Sequence, residues 1–258
     1  MSRQLPASTP RLFVDAPLGA GAEVAAAEGQ AHYLRQVMRR EAGAPVLLFN
    51  GRDGEWVATL VFHGKKGAGF AVAQQTRPQT TDAAVTLAFA PLKSQRLDLV
   101  IEKATELGVA ALQPVITARS IAQKVNEDRL RAIAVEAAEQ CERLSVPEVA
   151  APLKWNAFIA GLQADARTTT YFLDEDAARR NAVPGPATVW RDAGAPALIL
   201  VGPEGGFTAD EAQAVRALPR AVPLSLGPRI LRAETAAIAA LACWQALCGD
   251  WRALNPGR

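Results

Sequence analysis

Two stretches near the C-terminal end constrain the fold more than any other part of the chain. LILVGPEGGFTADEA occupies positions 198–212 and VPLSLGPRILRAETAAIAALACWQAL positions 222–247. Each runs from a short apolar segment through a Gly/Pro turn into a helical pattern. Leu198–Val201 has the continuous apolarity of a strand buried on both faces, as in parallel sheets. Gly202, Pro203, Gly205 and Gly206 follow at its end, where a missing Cβ lets backbone approach a ligand. Thr208 reads as an N-cap, and Glu211 three residues later completes a capping box. Val222–Leu226, Gly227-Pro228 and a helix beginning near Glu234 repeat the grammar. Ligands of parallel α/β sheets sit beyond the carboxyl ends of the strands. One pocket is therefore expected, with Gly202–Gly206 and Gly227–Ala236 as its walls. Main chain and apolar side chains would dominate it, which suits an adenine-containing ligand.

Several chemistries are excluded for these turns. GPEGG is followed by no GK[ST], so it is not a P-loop, and it is not GxGxxG. The chain has no HExxH, GxSxG or paired-cysteine ligand set, and no metal is expected. Cys141, Cys243 and Cys248 lack the spacing of a disulfide framework or zinc site, which suits a reducing cytoplasm. No apolar run is long enough for a membrane span, and residues 1–30 lack the design of a signal peptide. Net charge is +2, which does not by itself announce a nucleic-acid binder. Its distribution is uneven: residues 1–80 hold nine Lys/Arg and six Asp/Glu, or +3, and the rest hold nineteen and twenty, or −1. A modestly basic front part is compatible with a phosphate-bearing partner.

The front part reads as short strands at 12–15, 45–50, 55–62 and 69–75, punctuated by Asn50-Gly51 and Asp53-Gly54. Residues 28–40 read as a helix, with Tyr33/Val37 and Leu34/Met38 as its apolar pairs. A small β-barrel with one helix is the expected architecture. The proline-interrupted stretch around 77–82 marks a boundary, dividing the chain into 1–78 and 79–258. Beyond it, strands at 85–90, 111–117 and 169–174 alternate with helices. One helix ends at Gly108 as C-cap. A second runs from Asn126 to 144 with an apolar stripe of Leu130, Ile133, Ala137, Cys141 and Leu144. A third is expected at 154–162, and 175–196 reads as loop. The alternation predicts an α/β domain with a mostly parallel sheet covered on both faces.

VGPEGGF at 201–207 together with LGPRILRAETA at 226–236 resembles the SPOUT class of methyltransferases. More narrowly, the chain is similar to the RsmE family of bacterial ribosomal RNA methyltransferases. KSQRLDLVIEKATELGV at 93–109, EAAEQCERLSVPEV at 136–149 and HYLRQVMRREAGAPVLLFNGRDGEW at 32–56 match in the same order. Cys141-Glu142 departs from the small residues expected of many relatives. The resemblance implies a PUA-like β-barrel in front and a SPOUT-type α/β domain behind, its C-terminal segment threaded into a deep trefoil knot. It implies S-adenosylmethionine as methyl donor, a homodimer, and methylation of N3 of one uridine of 16S rRNA. That uridine would lie near the 3′ end, in the decoding region of the small ribosomal (30S) subunit. Carried onto this chain, the cofactor residues are Val201, Gly202, Glu204, Gly206, Leu226, Gly227, Ile230, Leu231, Arg232, Thr235 and Ala236.

Methylating N3 requires loss of its proton and stabilisation of the anion that develops on the O2–N3–O4 edge. Arg232 is the first candidate, because guanidinium offers a planar fork of donors and stays charged. Its alternative is to brace the knot or to pair with Glu234 or Glu204. Glu234 is a candidate base, or a carboxylate placed at a helix N-terminus where the macrodipole favours it. Arg229 is a candidate phosphate contact. Lys93 and Arg96 open a helix, an awkward place for cations without a partner, and phosphate is one such partner. Arg143, at the end of the long helix, is an RNA or cross-dimer candidate. Arg35, Arg39, Arg40 and Arg52 are candidates for RNA backbone. A dimer is also anticipated from Ile238, Leu241, Trp244 and Leu247, a stripe that ordinary core would equally explain. Two other readings compete. One keeps the donor and changes the target to tRNA or ribose 2′-O; the other is a non-catalytic RNA-binding assembly factor.

Overall fold

The computed structural model describes residues 5–6, 8–64, 67–81, 84–174, 183–190 and 196–253. The chain divides into two compact units. The front unit is Met1–Thr81 with Ala138–Val146, and the back unit is Asp82–Ala137 with Pro147–Arg258.

The front unit is a five-stranded sheet of β1 (Arg11–Phe13), β2 (Glu23–Ala25), β3 (Pro45–Phe49), β4 (Glu55–His63) and β5 (Gly67–Arg77), in the order β1-β3-β4-β5-β2. β3, β4, β5 and β2 pair antiparallel, and β1 runs parallel to β3. Side chains alternate between the faces of a strand. Val46 and Leu48, Ala58 and Leu60, and Phe70 and Val72 therefore share one face and form the core with Leu12 and Leu34. β2 has three residues of which only Val24 is buried, too short a run to show periodicity. The β3–β4 turn is held by Asn50, whose Oδ1 accepts from the N–H groups of Arg52 and Asp53 at 3.0 and 2.8 Å. Gly54 has φ +77°, and a Cβ there would lie 2.3 Å from the Arg77 carbonyl.

Two predicted helices end early. Residues 28–40 form α1 (Glu28–His32), a π-turn over Tyr33–Val37, and then a reversal with Arg39 at φ 51°. In the wider turn the Met38 N–H reaches the Tyr33 carbonyl, five residues back, at 2.9 Å. Leu34 and Met38 pack on the core as expected. Tyr33 and Val37 are exposed, so that predicted pair does not cover apolar surface. The second, α3 (Glu127–Gln140), stops short of 144. Glu142 takes φ 60° and Cys141 is exposed, so the stripe breaks there, while Leu144 is buried. The stop has a cause: Arg11 donates to the carbonyl of Ala138 at 2.8 Å and to that of Arg143, satisfying helix-end acceptors. The Phe13 N–H adds a bond to Glu139 Oε1 at 2.9 Å, and Arg77 one to the Glu142 carbonyl at 2.9 Å.

The back unit carries a seven-stranded sheet, with all its pairs parallel. Its strands are β6 (Val85–Phe89), β7 (Ala111–Ile116), β8 (Glu148–Val149), β9 (Leu153–Lys154), β10 (Thr169–Leu173), β11 (Ala197–Val201) and β12 (Ala221–Leu224). The order is β12-β10-β11-β6-β7-β8, with β9 also on β7. β11 is buried along its whole length, as its apolar run demands. Its helices include α2 (Ser94–Glu106), α4 (Trp155–Ala164), α5 (Pro186–Val189), α6 (Ala209–Arg216) and α7 (Ala233–Leu247). The two-residue strands β8 and β9 were not predicted, being too short to signal. Of the predicted loop 175–196, residues 175–182 and 191–195 lie outside the described residues, and α5 is a helical turn within the remainder. α7 packs on α2 and β11. Leu241 and Trp244 are buried within the single chain, and Trp244 stacks edge-on with Trp190 at 5.7 Å, so this part of the anticipated dimer stripe is core. None of the three cysteines forms a disulfide among the described residues, and the Cys248 thiol donates to the Trp190 carbonyl at 3.0 Å. Among the described residues no helix is long and apolar enough to cross a membrane.

Strand order reverses where β11 meets β6. From β6 the chain moves outward to β7 and β8, whereas β10 and β12 lie on the other side of β11. Such a reversal leaves a crevice at the carboxyl ends of the strands, the usual ligand site of open parallel sheets.

Candidate functional site

The segments that follow β6, β7, β10, β11 and β12 all meet at that crevice. They enclose a cavity of about 640 Å³, well inside the ~300–1,000 Å³ range of small-molecule sites. Its walls are the two glycine turns. All but Thr235 of the predicted cofactor residues line it: Val201, Gly202, Glu204, Gly206, Leu226, Gly227, Ile230, Leu231, Arg232 and Ala236. Thr235 is exposed on α7, because residues three apart, Ala233 and Ala236, carry the helix face turned to the cavity. Glu234 does not line the cavity. It is 8% exposed, and its carboxylate lies 3.6 Å from Arg96, which does line the cavity.

The first wall is built by local sequence. Gly202 follows β11 directly, and a Cβ on it would sit 2.7 Å from the Phe207 ring. Phe207 folds under the turn against Phe172 and Trp155, with ring centroids 5.2 and 5.5 Å away. Gly206 has φ +68°, and its N–H closes the turn on the Pro203 carbonyl at 2.9 Å. The capping box then starts α6: Thr208 Oγ1 accepts from the Glu211 N–H at 3.2 Å, and Glu211 Oε2 from the Thr208 N–H at 2.9 Å. Glu211 does more than its spacing suggested, since its Oε1 also accepts from the Ala118 N–H at 2.7 Å. Arg119 was not anticipated at all. It lines the cavity and donates to the Gly205 carbonyl at 2.7 Å, tying the loop after β7 to the turn.

The second wall is open main chain. Gly227 has φ +102°, and its N–H reaches Ser225 Oγ at 3.2 Å. The N–H groups of Leu226, Ile230 and Leu231 donate to no protein group among the described residues. These three residues line the cavity, so ready-made main-chain donors stand at its edge. Donors left without a protein partner are the groups that recognise the polar edges of an adenosine. Together with the cavity volume of about 640 Å³, they fit S-adenosylmethionine.

Charges at the cavity sort into paired and free. Arg96 bridges Glu204 at 2.5 Å and Glu234 at 3.6 Å, which supplies the partner that a cation at a helix start lacked in the sequence. Asp174 is paired with Arg216 at 2.8 Å. Arg229 and Arg232 are exposed on the rim and have no side-chain partner among the described residues. Arg232 is the N-cap residue of α7.

A family model described as an RNA methyltransferase domain matches residues 79–245. The chain belongs to this RNA methyltransferase family. A second model, described as an RNA methyltransferase PUA domain, matches residues 27–69 of this methyltransferase. The ribosomal RNA small subunit methyltransferase E of Rickettsia conorii is 31% identical over 233 residues, covering 90% of this chain and 93% of the relative. That of Synechocystis is 35% identical over 235 residues, covering 88% and 74%. A crystal structure of the methyltransferase E of Neisseria gonorrhoeae, bound to S-adenosyl methionine, superposes with a TM-score of 0.82 at 29% identity, covering 94% of this chain and 99% of that one.

The other predicted RNA contacts of this methyltransferase fall apart into used and available side chains. Arg35 lies 4.2 Å over the Phe62 ring and donates to the carbonyls of Gly64 and Gly67 at 3.2 and 3.1 Å. Arg40 donates to the Ser8 carbonyl, Arg52 to that of Asp15 at 2.7 Å, and Arg143 to Ser145 Oγ at 3.0 Å. Arg39 and Lys93 are exposed without a side-chain partner among the described residues. Arg35, Arg39, Arg40, Arg52 and Arg143 belong to the front unit, Lys93 and Arg96 to the back.

Proposed function

We propose that this chain transfers the methyl group of S-adenosylmethionine to N3 of one uridine in 16S rRNA, near its 3′ end in the decoding region. The observation that carries the reading is the cavity itself. It stands at the switch point of the sheet, is walled by two glycine turns, and is edged by main-chain N–H groups and arginines that have no protein partner among the described residues. Members of the same family named for small-subunit rRNA methylation, and one bound to S-adenosyl methionine, support it.

When bound, the donor supplies an electrophilic methyl carbon on a sulfonium. The chain's residues do the rest. Main-chain groups of Gly202, Leu226 and Leu231 hold adenine and ribose. Arg232 presents its fork to the uracil edge, where negative charge grows as N3 loses its proton. The carboxylates that line the cavity among the described residues, Asp174 and Glu204, are already paired with Arg216 and Arg96. Glu234 is turned to Arg96. The reading therefore gives Arg232 the stabilisation of the anion and sends the N3 proton to solvent. Glu234 then serves as an anchoring carboxylate at the start of α7, where the macrodipole favours it.

A base in folded RNA must be splayed out before N3 is accessible. The front unit holds the flanking RNA in this reading, with Arg39 of that unit and Lys93 of the back unit as available cations. A trefoil knot and a homodimer belong to the same reading. The knot is supported by the sheet order, since the segment after β12 returns to pack α7 on β11 and α2.

Calorimetric titration of the purified chain with S-adenosylmethionine, followed by methyl transfer to undermethylated small subunits, tests the proposal. Saturable binding at one site per chain and label recovered as N3-methyluridine are expected. Binding without transfer to any RNA would favour an assembly factor.

A further inference from the structure

Arg96 sits in the first turn of α2, where the helix macrodipole disfavours a cation. Its surroundings reverse that. Nη1 lies 2.5 Å from Glu204 Oε1, and Nε lies 3.6 Å from Glu234 Oε1. The three residues come from three separate walls: Arg96 from the segment after β6, Glu204 from the first glycine turn, and Glu234 from the first turn of α7. Glu204 is partly open to solvent, with a side chain 28% exposed, whereas that of Glu234 is 11% exposed. The second oxygen of Glu234, Oε2, is buried without a hydrogen-bond partner among the described residues, so that carboxylate depends on Arg96 for its charge compensation. A buried carboxylate that loses its cation is strongly destabilised.

We propose that Arg96 is a positioning residue of the methyl-donor site: by joining Glu204 to Glu234 it holds the first glycine turn and α7 at the separation the donor requires. The inference rests on the proposed function and deepens it. It removes Arg96 from the set of phosphate contacts. A guanidinium whose charge is met by two carboxylates inside the protein releases few counterions from RNA. Its substitution should register in donor binding and leave RNA affinity in place. Arg119 holds the same turn through the Gly205 carbonyl but makes no hydrogen bond to α7 among the described residues, so it anchors one wall only.

The test compares the full-length wild type with Arg96→Gln, Arg96→Lys, Glu204→Gln and the Arg96→Gln/Glu204→Gln double variant. Calorimetry gives the Kd for S-adenosylmethionine, and initial rates at saturating donor give kcat and the KM for small subunits at two salt concentrations. For Arg96→Gln the donor Kd should rise about tenfold, the scale of one lost ~1.4 kcal/mol interaction. The RNA KM and its salt dependence should stay unchanged. Arg96→Lys should recover most of the loss. Glu204→Gln should weaken donor binding less, and the double variant should be no worse than Arg96→Gln alone, because both remove one coupled contact. A wild-type donor Kd in Arg96→Gln, with a raised RNA KM and a shallower salt dependence, would overturn the inference in favour of phosphate contact. Should Arg96→Gln fail to fold, Glu204→Gln alone decides, since it changes one exposed turn residue: an unaltered donor Kd there overturns the inference. Failure of the wild type to bind S-adenosylmethionine would sink the proposed function, and this inference with it.

Discussion

The front and back units each use an arginine to join segments far apart in the chain, and the two arginines sit in opposite surroundings. Arg11 has a side chain 6% exposed, stacks 3.8 Å from the Phe49 ring centroid, and is committed to Glu55 and to the carbonyls of Ala138 and Arg143. Burial lowers its pKa, and the hydrogen bond to Glu55 opposes that shift. Arg96 has a side chain 35% exposed and is shared between one open and one covered carboxylate at the edge of a cavity. The first arrangement suits a permanent joint, because every donor it uses is answered in a dry interior. The second leaves the joint in contact with the space a ligand would fill. The difference separates an arginine that holds a fold from one that shapes a site.

The comparison breaks most visibly at Glu55. Glu55→Ala strands a buried guanidinium, and chemical denaturation should show a loss of about 3–5 kcal/mol. Glu204→Ala removes the exposed partner of Arg96 and should cost no more than about 1 kcal/mol. Equal losses would erase the distinction between the two arginines.

Next in size is Arg232→Ala. Arg232 is exposed with no side-chain partner among the described residues, so melting temperature should barely move. The rate of methyl transfer at saturating donor should fall by about 10²–10³, the scale of removing one donor that stabilises a developing anion. A drop in stability with an unaltered rate would make Arg232 a brace.

Gly202→Ala is expected to be milder in stability, about 1–3 kcal/mol, as its new methyl is forced onto the Phe207 ring. Donor binding should weaken with it, whereas Gly29→Ala, where a Cβ meets nothing within 4 Å, should leave donor binding unchanged.

The smallest effect concerns Asp53 in the front unit. The Leu18 N–H and the Asn50 amide hold its pKa below the ordinary carboxylate value. A depressed folded-state value contributes stability above the unfolded-state pKa of ~3.9 and loses it as pH falls through the lower folded value. The melting-temperature gap between wild type and Asp53→Asn should therefore be widest near neutral pH and close at the acid end. A gap that persists below the folded value would assign it to hydrogen-bond geometry alone.

What the sequence disclosed is what depends on near neighbours. The buried run of β11, the Thr208/Glu211 capping box, and the two glycine turns as walls of one cavity follow from residues a few positions apart. The family resemblance extended that to the donor and the RNA. The joints were not legible, because their partners are remote. Arg96 and Glu204 are 108 positions apart, Arg11 and Ala138 are 127 apart, and Arg119 and Gly205 are 86 apart. Helix ends failed for the same reason: α3 reads as continuous to 144, and it stops at Gln140 where carbonyls are claimed by an arginine from the first strand. The stripe on α7 left dimer surface and core open in the sequence, because Trp190, which covers Trp244, is far from it in sequence.

Mass-spectrometric mapping of 16S rRNA from a strain lacking this protein tests the central claim most directly. The account predicts one unmethylated uridine near the 3′ end, with N3-methylation restored by the wild-type chain and not by Arg232→Ala. An unchanged small-subunit rRNA, or a methyl group lost from a ribose or from tRNA, would contradict it.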